Sequence, residues 1–165
     1  MGLSHDSPLS ALRDSVTPMA TDPPLAPLPP RLATSTAYLL TRATRTAARL
    51  AQQHFGGEEL RFPHYVVLCW VEHLGPCTQR ALAAAMSSDP SDLVTVLRAV
   101  DEAGLLERAT DPADRRRHVL RLTEAGSAWL RERQARADTY EAELCASLGD
   151  QGEALRQGLT QVLCA

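Results

Sequence analysis

Lysine, asparagine and isoleucine are missing from this 165-residue chain, so its 17 basic residues are all arginine. Codon usage in a GC-rich genome accounts for that set of absences. With no asparagine, two-point hydrogen bonding to an adenine edge would fall to glutamine alone. The four cysteines (69, 77, 145 and 164) form no close pair and no C-x-x-C. That excludes a disulfide framework and implies reduced thiols in the cytoplasm. No apolar run reaches the length of a bilayer span, and no basic-then-apolar leader opens the chain, so no membrane partner is expected. Phosphate-cradling glycine loops, a nucleophile elbow and a paired acid–base set on one element are all lacking, which argues against an enzyme. His64, Cys69, His73 and Cys77 are too loosely spaced for a metal site; neither metal nor cofactor is expected.

Net charge is −3, so the chain is not a uniformly basic coat for nucleic acid. Any such contact must come from a local patch, and one exists. Leu105 to Arg121 holds five arginines (108, 115, 116, 117 and 121) against Glu107, Asp111 and Asp114.

The patch lies within a readable order of elements. Residues 1–30 carry Pro23-Pro24 and Pro29-Pro30 among Ser, Thr and Asp, which predicts an extended or disordered arm. Ala33, Ala37, Leu40, Ala43, Ala47 and Leu50 recur at helical spacing and predict a helix from Leu32 to His54, with Arg42, Arg45 and Arg49 on a solvated face. Gly56-Gly57 ends it. Phe62-Pro63 opens a second helix that Gly75-Pro76 stops. Thr78 can cap a short third helix, Gln79 to Met86. Asp89-Pro90-Ser91-Asp92 then signals a fourth start, with Asp89 as N-cap and Asp92 as the carboxylate of a capping box. That helix runs to Ala103 and stops at Gly104, burying Leu93, Val96, Leu97 and Val100. Leu105 to Thr110 and His118 to Leu122 read as two strands around the loop Asp111 to Arg117.

Helices followed by a two-stranded hairpin make a winged helix-turn-helix. The fold class expected is mainly α (α+β), with about six helices and a small two- or three-stranded wing sheet. The fourth helix is free to enter a major groove while the basic loop reaches the adjacent minor groove.

Asp114-Arg115-Arg116, then Leu122-Thr123 and Gly126, resembles the wing signature of the MarR family of bacterial transcriptional regulators. Gly75-Pro76-Cys77-Thr78-Gln79 with Leu82, and Glu102-Ala103-Gly104-Leu105-Leu106-Glu107-Arg108, support it. The resemblance is specific over Phe62 to Leu130 and rests on pattern alone outside. It implies a homodimer on double-stranded DNA, held by residues 31–60 and 123–165, with residues 61–122 as the DNA-binding domain. It also implies repression relieved by a small amphipathic or phenolic effector. A helix from Thr123 to Leu148 carries Leu130, Ala137 and Leu144 seven apart, a seam that favours a partner helix. Gly149 breaks it, and a last helix carries Leu155, Leu159 and Val162.

Under the same resemblance Arg116 enters the minor groove and Asp114 braces it, while Arg115 and Arg117 serve phosphate contact or solubility. Ser91, Thr95 and Arg98 are the candidate readers, Arg98 alone being suited to two-point guanine recognition. Asp92 departs from the small polar residues usual at its place; helix capping is its first reading, cytosine recognition its second. Thr78 and Gln79 suit phosphate binding at a helix start. Tyr38, His64, Tyr65 and Trp70 are effector-pocket candidates, with core packing as the plain alternative. Cys69, four residues before His73, is the candidate thiol for an alternative redox-sensing regulator. A winged helix used only for protein contact is the remaining alternative.

Overall fold

The computed structural model of the protein describes residues 27–110 and 118–164. Seven α-helices and one two-stranded sheet lie among them: α1 (Pro30–Ala33), α2 (Thr36–Phe55), α3 (Phe62–Leu74), α4 (Gln79–Ala85), α5 (Leu93–Glu102), β1 (Leu106–Thr110), β2 (His118–Leu122), α6 (Glu124–Cys145) and α7 (Gln151–Leu163). The mainly helical winged-helix class expected from the sequence is the one observed.

The first expected helix is interrupted. Ser35 Oγ accepts from the Tyr38 amide at 3.4 Å, a local cap that begins α2 afresh after a single short turn. Pro30, expected in the arm, is the first residue of α1, where its missing N–H costs nothing. Among the described residues, those up to Leu39 form one compact unit and those from Leu40 a second.

In the larger unit, Val67, Leu68 and Val71 of α3, Leu82 and Ala83 of α4, and Leu93, Leu97 and Val100 of α5 make one core with Leu105, Leu106, Leu120 and Leu130. Burying each leucine or valine contributes roughly 1.5–3 kcal/mol, so this cluster holds α4 and α5 against α3. Thr78 caps α4, its hydroxyl accepting from the Ala81 amide at 3.1 Å. At the far end of α5, Gly104 takes φ +71°, and the Leu105 amide returns to the Val100 carbonyl at 3.0 Å. This closing turn needs a left-handed residue and aims the chain straight into β1.

β1 and β2 pair antiparallel, Leu106 opposite Leu122 and Thr110 opposite His118. Cys77 adds a single bridge on the other side of β2, exchanging hydrogen bonds of 2.7 and 3.1 Å with Leu120. The small sheet is therefore three-stranded for one residue only. Thr123 starts α6: its hydroxyl donates to the Gly104 carbonyl at 2.8 Å and accepts from the Gly126 amide at 2.9 Å.

Within one chain, the Leu130, Ala137 and Leu144 seam of α6 already has neighbours. Leu130 belongs to the core above, while Ala137 and Leu144 pack with Ala51, Phe55 and Tyr140 of the same chain. A heptad spacing identifies an apolar stripe but not whose helix covers it.

Candidate nucleic-acid interface

α5 divides cleanly into two faces. Leu93, Leu97 and Val100 are buried, whereas Thr95, Arg98 and Glu102 are exposed, with Ser91 exposed in the turn just before. Arg98 and Glu102 are each 71% exposed and lie 3.8 Å apart, one helical turn from each other. A pair this open is worth little and readily gives way to a phosphate or a base.

The start of α5 is organised by Asp89. Its Oδ1 accepts from the Ser91 amide at 2.8 Å and from the Ser91 hydroxyl at 2.6 Å. Those bonds hold the Asp89 carboxyl below the usual carboxylate range. Asp92 does not act as the expected capping carboxylate. Its backbone is already helical, and its side chain makes no capping hydrogen bond. Asp89 holds the Ser91 amide by itself, and no reciprocal bond from Asp92 completes a box. Gln79 is likewise engaged within the fold, its Nε2 donating to the Pro90 carbonyl at 3.1 Å. It ties the start of α4 to the start of α5.

Thr110 and His118 form the paired end of the hairpin, with the seven residues 111 to 117 between them along the chain. Asp114, Arg115, Arg116 and Arg117 lie outside the described residues. At its root, Arg108 stands 3.5 Å from Asp101 and Arg121 stands 3.9 Å from Glu107. Two of the five arginines of the basic patch thus face carboxylates.

The four pocket candidates are held in different ways. Tyr38 is half-buried on α2. His64 Nδ1 accepts from the Arg61 amide at 2.8 Å and closes the start of α3; burial lowers its pKa. Tyr65 sits among Phe55, Phe62 and Trp129, with ring centroids 5.6, 6.2 and 6.5 Å away. Its hydroxyl donates to Gln134 Oε1 at 3.2 Å. Trp70 packs on the core and meets His73 edge-on at 6.1 Å. A shallow cleft of about 260 Å³ lies elsewhere, among Val71, Glu72, Gly75, Pro76, Arg121, Leu122 and Ser127.

Cys69 is half-buried on α3 beside Tyr65. Burial pushes it up, outweighing a hydrogen bond with Tyr65, and the His73 ring is turned to Trp70. Spacing on one helix brings two residues to one side without making them partners. Burial likewise raises the Cys77 thiol, which packs as a small apolar group.

A polar seam on α6 has no signal in local sequence. Arg133 Nη2 and Arg136 Nη1 donate to Glu58 at 2.8 and 2.6 Å, and His54 Nε2 lies 2.7 Å from Glu143 Oε2. The partners stand 75 to 89 residues apart in the chain, so no local pattern joins them.

Among the described residues no helix is long and apolar enough to cross a membrane. The sequence profile of the MarR family matches residues 60–118. The helix-turn-helix transcriptional repressor NicR of Pseudomonas putida is 29% identical over 113 residues, 67% of this chain and 72% of NicR. The helix-turn-helix transcriptional regulator YxaD of Bacillus subtilis is 30% identical over 108 residues, 65% of this chain and 76% of YxaD. Among solved structures, the repressor CouR on a 23-mer DNA duplex is 26% identical and superposes with a TM-score of 0.75, covering 84% of this chain and 99% of CouR. CouR of Rhodococcus jostii RHA1 with p-coumaroyl-CoA is 27% identical at a TM-score of 0.67, covering 80% and 93%. Helix order, wing root and relatives agree: the chain belongs to the MarR family of transcriptional regulators.

Proposed function

We propose that this MarR-type regulator is a ligand-responsive repressor that acts as a homodimer on an inverted-repeat operator. The observation that carries the reading is α5, with one face in the core, Thr95 and Arg98 exposed on the other, and Ser91 exposed in the turn before it. A helix divided this way, with its apolar face held on α3, can lie in a major groove. In this reading Arg116 enters the neighbouring minor groove, Asp114 braces it, and Arg115, Arg117 and the Thr78–Gln79 turn meet phosphates.

Pairing of two copies is supported by apolar surface left uncovered in one. α2 buries only Ala51 and Phe55 of its 20 residues. α7 buries only Gly152 and leaves Leu155, Val162 and Leu163 at 46%, 62% and 86% exposure. Residues 31–60 and 123–165 would then form the dimer, with residues 61–122 reading DNA. A two-fold arrangement sets recognition helices about 34 Å apart, one turn of duplex. An effector is supported by CouR, solved both on DNA and with p-coumaroyl-CoA. Tyr65 offers it a hydroxyl within an aromatic wall.

The test is a mobility shift on the DNA upstream of the protein's own gene, over a salt series, with the oligomer mass measured in parallel. A dimer whose affinity falls steeply with salt is the expected result, because phosphate contacts release counterions. Absence of any shift at low salt would overturn the reading in favour of a protein-contact module.

A further inference from the structure

The polar seam on α6 has a geometry that apolar packing does not require. Arg133, Arg136, Tyr140 and Glu143 follow one another at spacings of three, four and three, so they share one face of the helix. All four reach α2 or the turn after it. Arg133 and Arg136 hold Glu58, one guanidinium on each carboxylate oxygen. The Tyr140 hydroxyl donates to the Ala47 carbonyl at 3.4 Å, and Glu143 meets His54. Arg133 is fixed further by its guanidinium carbon lying 4.0 Å from the centre of the Trp129 ring.

Between these polar points lies an aromatic layer, Phe55 against Tyr140 and Phe62 at centroid distances of 6.3 and 5.1 Å. Such contacts hold α2 to α6 but tolerate rotation, since burial of apolar area is not directional. A carboxylate gripped by two donors a helical turn apart fixes both height and roll. Charge-assisted bonds are short and angular. Both arginines lower the Glu58 pKa, so the carboxylate stays ionised. The arrangement is also not the one stability alone would select. Arg133 Nε is buried without a hydrogen-bond partner, a cost that apolar packing would not carry.

α6 is keyed at its other end to the wing root, through Thr123 on Gly104 and the Thr123 amide on the Leu105 carbonyl at 3.1 Å. A rotation of α6 against α2 therefore carries the wing and α5 with it. We propose that Glu58 is a positioning residue that locks α2 to α6 through Arg133 and Arg136 and thereby sets which half-site spacing the protein accepts. The inference rests on the dimeric, inverted-repeat reading above.

The test begins with wild-type protein selecting duplexes from a random pool. The enriched inverted repeat is then remade with one base pair added or removed between its half-sites. Affinities for the three duplexes are measured for wild type, Glu58→Gln, Glu58→Asp and Arg136→Gln, with Tm and dimer mass as controls. The lock requires wild type to reject the altered spacings and Glu58→Gln to lose about tenfold of that discrimination while remaining a folded dimer. Glu58→Asp, which keeps the charge, restores part of it, and Arg136→Gln, which leaves one arm, falls between. Should Glu58→Gln not fold, Arg136→Gln carries the comparison. Folded Glu58→Gln and Arg136→Gln with the spacing preference of wild type would overturn the lock while leaving the dimer reading intact. Failure of wild type to enrich any inverted repeat would overturn the dimer reading, and the lock with it.

Discussion

Gly126 of α6 lies directly against the backbone carbonyl of Leu105, with no room between them for a β-carbon. The approach is what lets Thr123 reach Gly104 and lets α6 leave the wing at a fixed angle. In an open helix, replacing glycine by alanine stabilises by up to about 1 kcal/mol. Here the obstacle is backbone, which cannot move aside as a flexible side chain does. Gly126→Ala is therefore expected to destabilise by about 1–3 kcal/mol in urea unfolding. A gain in stability would show that the helix can shift without cost.

The two aspartates at the start of α5 separate by role. Asp89 holds the Ser91 amide and hydroxyl, whereas the Asp92 side chain holds no backbone amide. Asp89→Ala is expected to lower Tm, and Asp92→Ala to leave it unchanged. Thermal unfolding of the two variants side by side decides it; the reverse order would return the capping role to Asp92.

Tyr65 makes stability sensitive to alkali. Burial, then the neighbouring Cys69, push its phenol from 10.0 up to about 12. The folded state thus favours the neutral phenol. Its contribution is complete below pH 10 and is lost as pH rises through about 12. The absence of lysine removes the usual competing titration from this window. Tyr65→Phe is expected to flatten the loss of stability between those pH values, measured by denaturant midpoints. Parallel curves for the two proteins would contradict the assignment.

The elements around the wing were legible because each is punctuated in sequence. Pro63, Gly75-Pro76, Thr78, Asp89-Pro90 and Gly104 mark starts and stops that owe nothing to distant residues. Gly126 was visible only as part of a motif, and its reason, contact with Leu105, needed the fold. What the sequence concealed is tertiary. The stripe of Leu130, Ala137 and Leu144 was readable as apolar, yet its cover from within the same chain was not. No local pattern marks Glu58, because both its arginines come from a helix more than seventy residues away. The break before α2 turned on one serine hydroxyl competing with an otherwise unbroken helical pattern.

The central claim is that α5 and the wing together read duplex DNA, and Arg116→Ala tests it most directly. Affinity for the duplex bound by wild type, measured beside Tm, is expected to fall by about tenfold or more with folding intact, as loss of an arginine from a narrow minor groove requires. Affinity remaining within about twofold of wild type would contradict the wing's part in DNA binding.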